Sequence, residues 1–210
     1  MPDTLDVLTL VEGKDCLLAA NAGTGSDAKL AAFVTAVSRR LDRLVGPVVR
    51  RTVTAERHDG GRPTIYLRKH PNTSITSVTE YDGTTATVLT EETLGTAPIY
   101  GWLADPYEFE PTWLGNAIHR RSSGVDASFP AGRGNVLVTY LAGRYTDTGT
   151  VDEHYKLGAR LMLINLWRSQ QDSVAQVGEY DVPQSIFPTF VIPRAVREHF
   201  EGEIQDPLPL

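Results

Sequence analysis

Leu30, Phe33, Val34, Val37, Leu41, Leu44, Val45 and Val48 recur at intervals of three and four residues, so a helix drawn through them gathers all eight into one stripe. Arg39, Arg40, Asp42 and Arg43 fall on the remaining faces. Burying each large apolar side chain is worth roughly 1.5–3 kcal/mol, so this helix must lie against something. Gly46-Pro47 marks its end. Ahead of it, Thr9 as an N-cap with Glu12 three residues on predicts a short helix over 9–20, weakened by Gly13 and stopped by the Asn21–Gly25 segment. A third helix is predicted from near Asp152, where "DEHYKLGARLMLINLWRSQ" is apolar on most of its circumference. Such a helix is central, or is covered on its outer face by another subunit.

Between the second and third helices the period drops to two. "RRTVTAERHDGGRPTIYLR" predicts a strand, an Asp59-Gly60-Gly61 turn and a second strand. "ITSVTEYDGTTATVLTEE" repeats that signature around Asp82-Gly83. Residues 95–134, with many Gly and Pro, read as long loops with short strands that protrude from the core, and 135–143 returns to a strand. Over 172–193 three prolines and scattered aromatics predict an extended strap, followed by a short helix that begins at Pro193. The expected fold is therefore α+β. A helical core is formed by two N-terminal helices (1–48) and one long central helix (146–171). It carries a β-rich insertion (49–145) and an extended C-terminal arm (172–210).

The chemical signatures are few. Gly23-Thr24-Gly25 precedes a helix, but a phosphate-binding loop follows a strand and continues into Gly-Lys-Ser/Thr. Here Ser26-Asp27 follow, and either suits an N-cap; the loop is read as a joint. No two of the five histidines stand three or four residues apart, no Cys-x-x-Cys occurs, and the lone Cys16 reads as a small apolar side chain. Asp105, Glu108 and Glu110 lie among prolines and aromatics, which favours an exposed contact loop carrying Tyr107, Phe109 and Trp113 over a catalytic pair. The basic clusters Arg39/Arg40/Arg43 and Arg120/Arg121 read as salt-bridge donors between subunits or on a solvated face rather than as phosphate contacts. A net charge of −6 does not describe a generic DNA-coating surface. Met1–Thr9 carries no secretory signal pattern, and no apolar run approaches a membrane span. No catalytic, cofactor-binding or metal-binding residue is assigned.

The order of these features resembles the head-to-tail connector, or adaptor, family of long-tailed double-stranded DNA phages. The similarity is carried by the helix pair "LTLVEGKDCL" and "DAKLAAFVTAVSRRLDRLVG", by the proline before "ITSVTEYDG", by Val136, Val138, Tyr140, Gly143 and Tyr145, and by "LGARLMLINLW". It covers residues 5–83 and 135–171 best; 84–134 and the tail beyond 172 depart from the compact family pattern. The resemblance implies a non-enzymatic virion part without a cofactor, localised to the neck between capsid and tail and to the host cytoplasm during assembly. Its partners would be copies of itself in a ring, usually of twelve, the portal protein, and a stopper or other tail-side protein. Double-stranded DNA would pass through the lumen without sequence-specific binding, and no membrane would be involved. On this reading Phe187, Phe190, Val191, Ile192 and Phe200 grip the portal. Arg39, Arg40, Arg43, Tyr107, Phe109 and Trp113 make subunit or tail-side contacts. A stopper or tail-completion protein of the same connector is the alternative within this class. A small nucleotide-dependent or hydrolytic enzyme is the alternative outside it.

Overall fold

The computed structural model describes residues 3–17, 24–106, 114–172 and 192–204. Two units make up the chain: a helical one, running through Val49 and resuming at Tyr145, and a β one spanning Arg50–Arg144. The fold is α+β, with a helical N-terminal region, a long helix, a curled β-sheet insertion and a short C-terminal helix.

In the helical unit, Thr9 and Glu12 form the reciprocal capping box that opens α1 (Leu10–Cys16). A single 3-10 turn, Thr24–Ser26, leads into α2 (Asp27–Val45). Ser26 occupies the N-cap position, but its side chain makes no capping hydrogen bond. Asp27 instead reaches Lys14 of α1 at 2.6 Å, which ties the two helices across the joint. The periodic stripe of α2 is the inner one: Leu30, Val34, Val37, Leu41, Val45 and Val48 are buried, with Phe33 and Leu44 packed at the margin. They meet Tyr155, Ala159, Met162 and Leu163 of α3 (Glu153–Asp172), and Val196 and Phe200 of and just after α4 (Arg194–His199). Residues 3–8 are held to α2 by polar bonds. The Val7 amide donates to Ser38 Oγ at 2.9 Å, and Thr35 Oγ1 donates to Asp6 at 2.8 Å. Lys156 of α3, buried, contacts Glu12 at 2.7 Å, so the box that caps α1 also anchors α3.

Among the described residues the β unit holds eight strands: β1 (Arg51–His58), β2 (Thr64–Tyr66), β3 (Asn72–Asp82), β4 (Thr85–Glu91), β5 (Gly101–Pro106), β6 (Leu114–Ser122), β7 (Val125–Asp126) and β8 (Val136–Ala142). They run in the order β1-β8-β3-β4-β5-β6-β2, with β7 on β6. β3 and β4 form the hairpin read around Asp82-Gly83. β1 and β2 do not form a hairpin: they stand at opposite ends of the strand order, one on β8 and the other on β6. The Asp-Gly-Gly signature has another cause. The Gly60 amide donates to Gly132, and a Cβ at Gly60 would lie 2.0 Å from the Pro130 carbonyl, so only glycine admits that approach. Because so short a link joins the two ends of the order, the sheet must curl. The Arg68 amide, just past β2, then donates to Glu56 of β1 at 3.0 Å.

The expectation of protruding loops over 95–134 is corrected by β5, β6 and β7. Trp102, Ile118 and Phe129 belong to the sheet's core, together with Val78, Leu89, Val136, Val138 and Tyr140. Ser123-Gly124, which looked like loop composition, is the two-residue turn joining β6 to β7, with positive φ at both positions as a type I′ turn requires.

β1 carries a bulge at Ala55, whose φ is 50°. Ahead of it the inward positions are Arg51 and Val53; beyond it they are Glu56 and His58, so the extra residue shifts the phase of the strand by one. Left-handed backbone costs a non-glycine residue about 1–2 kcal/mol. Ala55→Gly is therefore expected to raise the unfolding free energy by about 1 kcal/mol and Ala55→Val to lower it, as read by urea denaturation.

Candidate functional site

α3 gives Tyr155, Ala159, Met162 and Leu163 to the core of the helical unit. Leu157, Leu161, Ile164 and Arg168 share another face by their spacing of four, three and four. Leu157 is 45% exposed. Leu161 and Ile164 floor an open groove of about 420 Å³, with Asn165, Arg168 and Ser169 on one side and Pro193 and Ala195 on the other. An apolar floor with a guanidinium and an amide at its rim fits an apolar segment of another chain better than a small polar metabolite.

The groove borders the place where the chain returns to the helical unit. Pro193 is the N-cap of α4, and Val196 and Phe200 are fully buried beneath it. Phe200 stacks on Tyr155 with ring centroids 5.7 Å apart and sits on the bare backbone of Gly158, where a Cβ would come within 2.3 Å of the ring. His154 and His199 lie ring against ring at 4.2 Å, and His154 Nε2 reaches Glu203 at 2.9 Å. His154 is thus packed under the C-terminal segment instead of standing free at a helix start. Ile192 and Phe200, taken from the sequence as anchors for a partner, are covered by this chain's own core, which corrects their reading as free apolar groups. Phe187, Phe190 and Val191, like Tyr107, Phe109, Trp113, Glu108 and Glu110, lie outside the described residues. Arg39 and Arg43 are exposed on α2, Arg39 only loosely opposed by Asp3 at 3.7 Å, and Arg40 is half-buried.

The second basic cluster is satisfied at home. Arg120 is buried in the β unit and holds Glu80 bidentately, with Nε and Nη2 each donating at 2.9 Å. Arg121 pairs with Glu92 and Asp126. Both are the salt-bridge donors expected from the sequence: Arg120 donates inside the β unit, and Arg121 donates to the exposed Asp126 at its surface. Asp105 lies on β5, not in a contact loop, and accepts from His119 Nε2 at 3.0 Å, while His119 Nδ1 lies 2.9 Å from Thr64 Oγ1. This is an acid–imidazole–hydroxyl chain across three neighbouring strands. Asp105 and His119 are both partly open to water, which screens their coupling, and Thr64 is half-buried. Among the described residues no group of three or more His, Cys, Asp or Glu could hold a metal ion, and no helix is long and apolar enough to cross a membrane. Burial pushes the half-buried Cys16 thiol up, away from the reactive thiolate.

The bulge brings Glu56 inward. It accepts from the Tyr140 hydroxyl at 2.9 Å and from the Arg68 amide, and His58 Nε2 lies 2.8 Å away. Burial alone would raise its pKa; the hydrogen bonds from His58, Arg68 and Tyr140 outweigh burial and hold the carboxyl below its ordinary value. Burial, followed by the neighbouring carboxylate, pushes the Tyr140 phenol up, so it stays a donor. No protein-family model matches the chain, and no curated protein matches it.

Two outcomes follow from these contacts. Gly158→Ala should lose about 2 kcal/mol or more in urea unfolding despite alanine's better helix propensity, because Phe200 must leave its seat; adding Phe200→Leu should recover part of the loss. For Glu56, a folded pKa below the unfolded one means its contribution is full above the ordinary value of 4.5 and fades as pH falls through the folded value. Thermal melts of Glu56→Gln against the parent should differ most near neutrality and converge in acid.

Proposed function

We propose that this chain is a head-to-tail adaptor subunit of a double-stranded DNA phage, acting by being held in a ring and not by turning over a substrate. Copies assemble beneath the portal in the virion neck, a tail-side stopper docks on them, and DNA passes through the central channel. The observation that carries this reading is α3: one face is buried by the chain itself, while on another Leu157 is exposed and the half-buried Leu161 and Ile164 line an open groove. A subunit destined for a ring needs an apolar surface that only its neighbours cover. The loose likeness of its helix pair and central helix to the adaptor family, noted from the sequence, supports the same reading.

Size-exclusion chromatography with light scattering, run with and without portal protein, tests it. The chain should be a small species alone and join a ring-sized complex when portal is present. Leu157→Asp with Ile164→Asp should abolish that complex while leaving the far-ultraviolet circular dichroism unchanged. Binding only to a preformed portal–adaptor complex would assign the chain to the stopper position instead. A stable monomer that ignores portal and hydrolyses a nucleotide or an activated ester would sink the structural reading.

A further inference from the structure

Charge is distributed very unevenly in this acidic chain. Between Arg50 and His70 stand six lysines and arginines against two carboxylates. Both carboxylates are engaged within the β unit: Glu56 faces inward onto Tyr140, and Asp59 accepts the Gly134 amide at 2.6 Å. Arg57, Arg62, Arg68 and Lys69 are exposed, and Arg133 joins them from the β7–β8 connection. None of these five forms an ion pair with a carboxylate among the described residues.

Backbone bonds draw the five to one end of the β unit. Gly60 donates to Gly132, Gly61 to Phe129, and Phe129 back to Arg62, which zips the β1–β2 link to the segment that carries Arg133. Arg68 Nη2 reaches the Arg57 carbonyl at 3.5 Å, and the Arg57 side chain lies 3.8 Å from where a Gly134 Cβ would stand. Like charges held together by backbone geometry, and outnumbering the neighbouring carboxylates Glu56 and Asp59, raise the potential of that surface; a polyanion lowers it and releases its own counterions on binding. Four of the five are arginines, whose planar forks suit phosphate oxygens. Tyr66 is the single exposed aromatic of β2 beside them. A cluster of arginine forks suits contact with a duplex through its phosphate backbone.

We infer that this basic end of the β unit, Arg57, Arg62, Arg68, Lys69 and Arg133, binds the phosphate backbone of double-stranded DNA without reading its sequence. That binding needs only the β unit's own surface, and it goes beyond the ring reading above by naming residues that touch the DNA. Fluorescence anisotropy of the full chain with a labelled 24-base-pair duplex, titrated between 50 and 200 mM KCl, tests it. Engagement of all five cations gives a log–log salt slope of about −4.5. Arg57→Ala, Arg68→Ala and Arg133→Ala together should bring the slope to about −1.8, with melting temperature as the folding control. Arg62→Gln with Lys69→Gln provides a second variant with a smaller change in the same direction. Changing Lys29 and Arg194 of the helical unit should leave the slope unaltered. No duplex binding at 50 mM KCl, a slope insensitive to these substitutions, tighter binding of a single strand, or equal affinity for phosphatidylglycerol vesicles would each overturn the assignment. Duplex affinity without portal binding would sink the ring reading and leave this one standing; portal binding without duplex affinity would do the reverse.

Discussion

The dry seam between α2 and α3 organises the helical unit. Val34, Val37 and Leu41 have no other surface large enough to hide them, so α3 must present Ala159, Met162 and Leu163 in return. With that face committed to α2, Leu157 is left exposed on another, and Gly158 serves as a socket for Phe200. The exposed Leu157 and the seat of α4 are both remainders of one packing choice.

The β unit is specified differently, by buried polar groups that tolerate few alternatives. A charged pair such as Glu80 with Arg120 adds little net stability once its desolvation is counted, but every other register would strand one of the two ions. Glu56 has the same effect at the seam where the sheet curls on itself. Only a Glu at the bulge's new phase reaches both the Tyr140 hydroxyl and the Arg68 amide. Apolar packing fills this sheet, while ionic and hydrogen-bonded groups choose which of the possible pairings it adopts.

Elements with a single strong period were legible in the sequence. The α2 stripe, the Thr9–Glu12 box, the β3–β4 hairpin and the alternating β8 each have one local cause and appear where that cause puts them. What was not legible has a nonlocal cause. Gly60-Gly61 looks like a hairpin turn because close backbone approach and tight turns demand the same residue, and the partner that decides, Pro130, lies far along the chain. Strands β5 and β6 were hidden by glycines and prolines at their ends, and the Ala55 bulge breaks the alternation on which strand reading depends. Among candidate site residues, an aromatic in a proline-rich tail carries no mark of whether a partner or its own chain covers it; Phe200 proved to be covered by its own. The exposed cations of the β unit were overlooked because a net charge averages over the chain, whereas a window of twenty residues around Arg57 carried the signal.

Tyr145 donates its amide to the Val48 carbonyl at 3.0 Å, and Val49 bridges to Tyr145. The polypeptide thus leaves its helical host and comes back at two points already one hydrogen bond apart. Material spliced in at such a place closes no additional loop in the host and asks nothing of its core. At such a junction the inserted chain can be lengthened, exchanged or shortened with its two points of attachment left where they are.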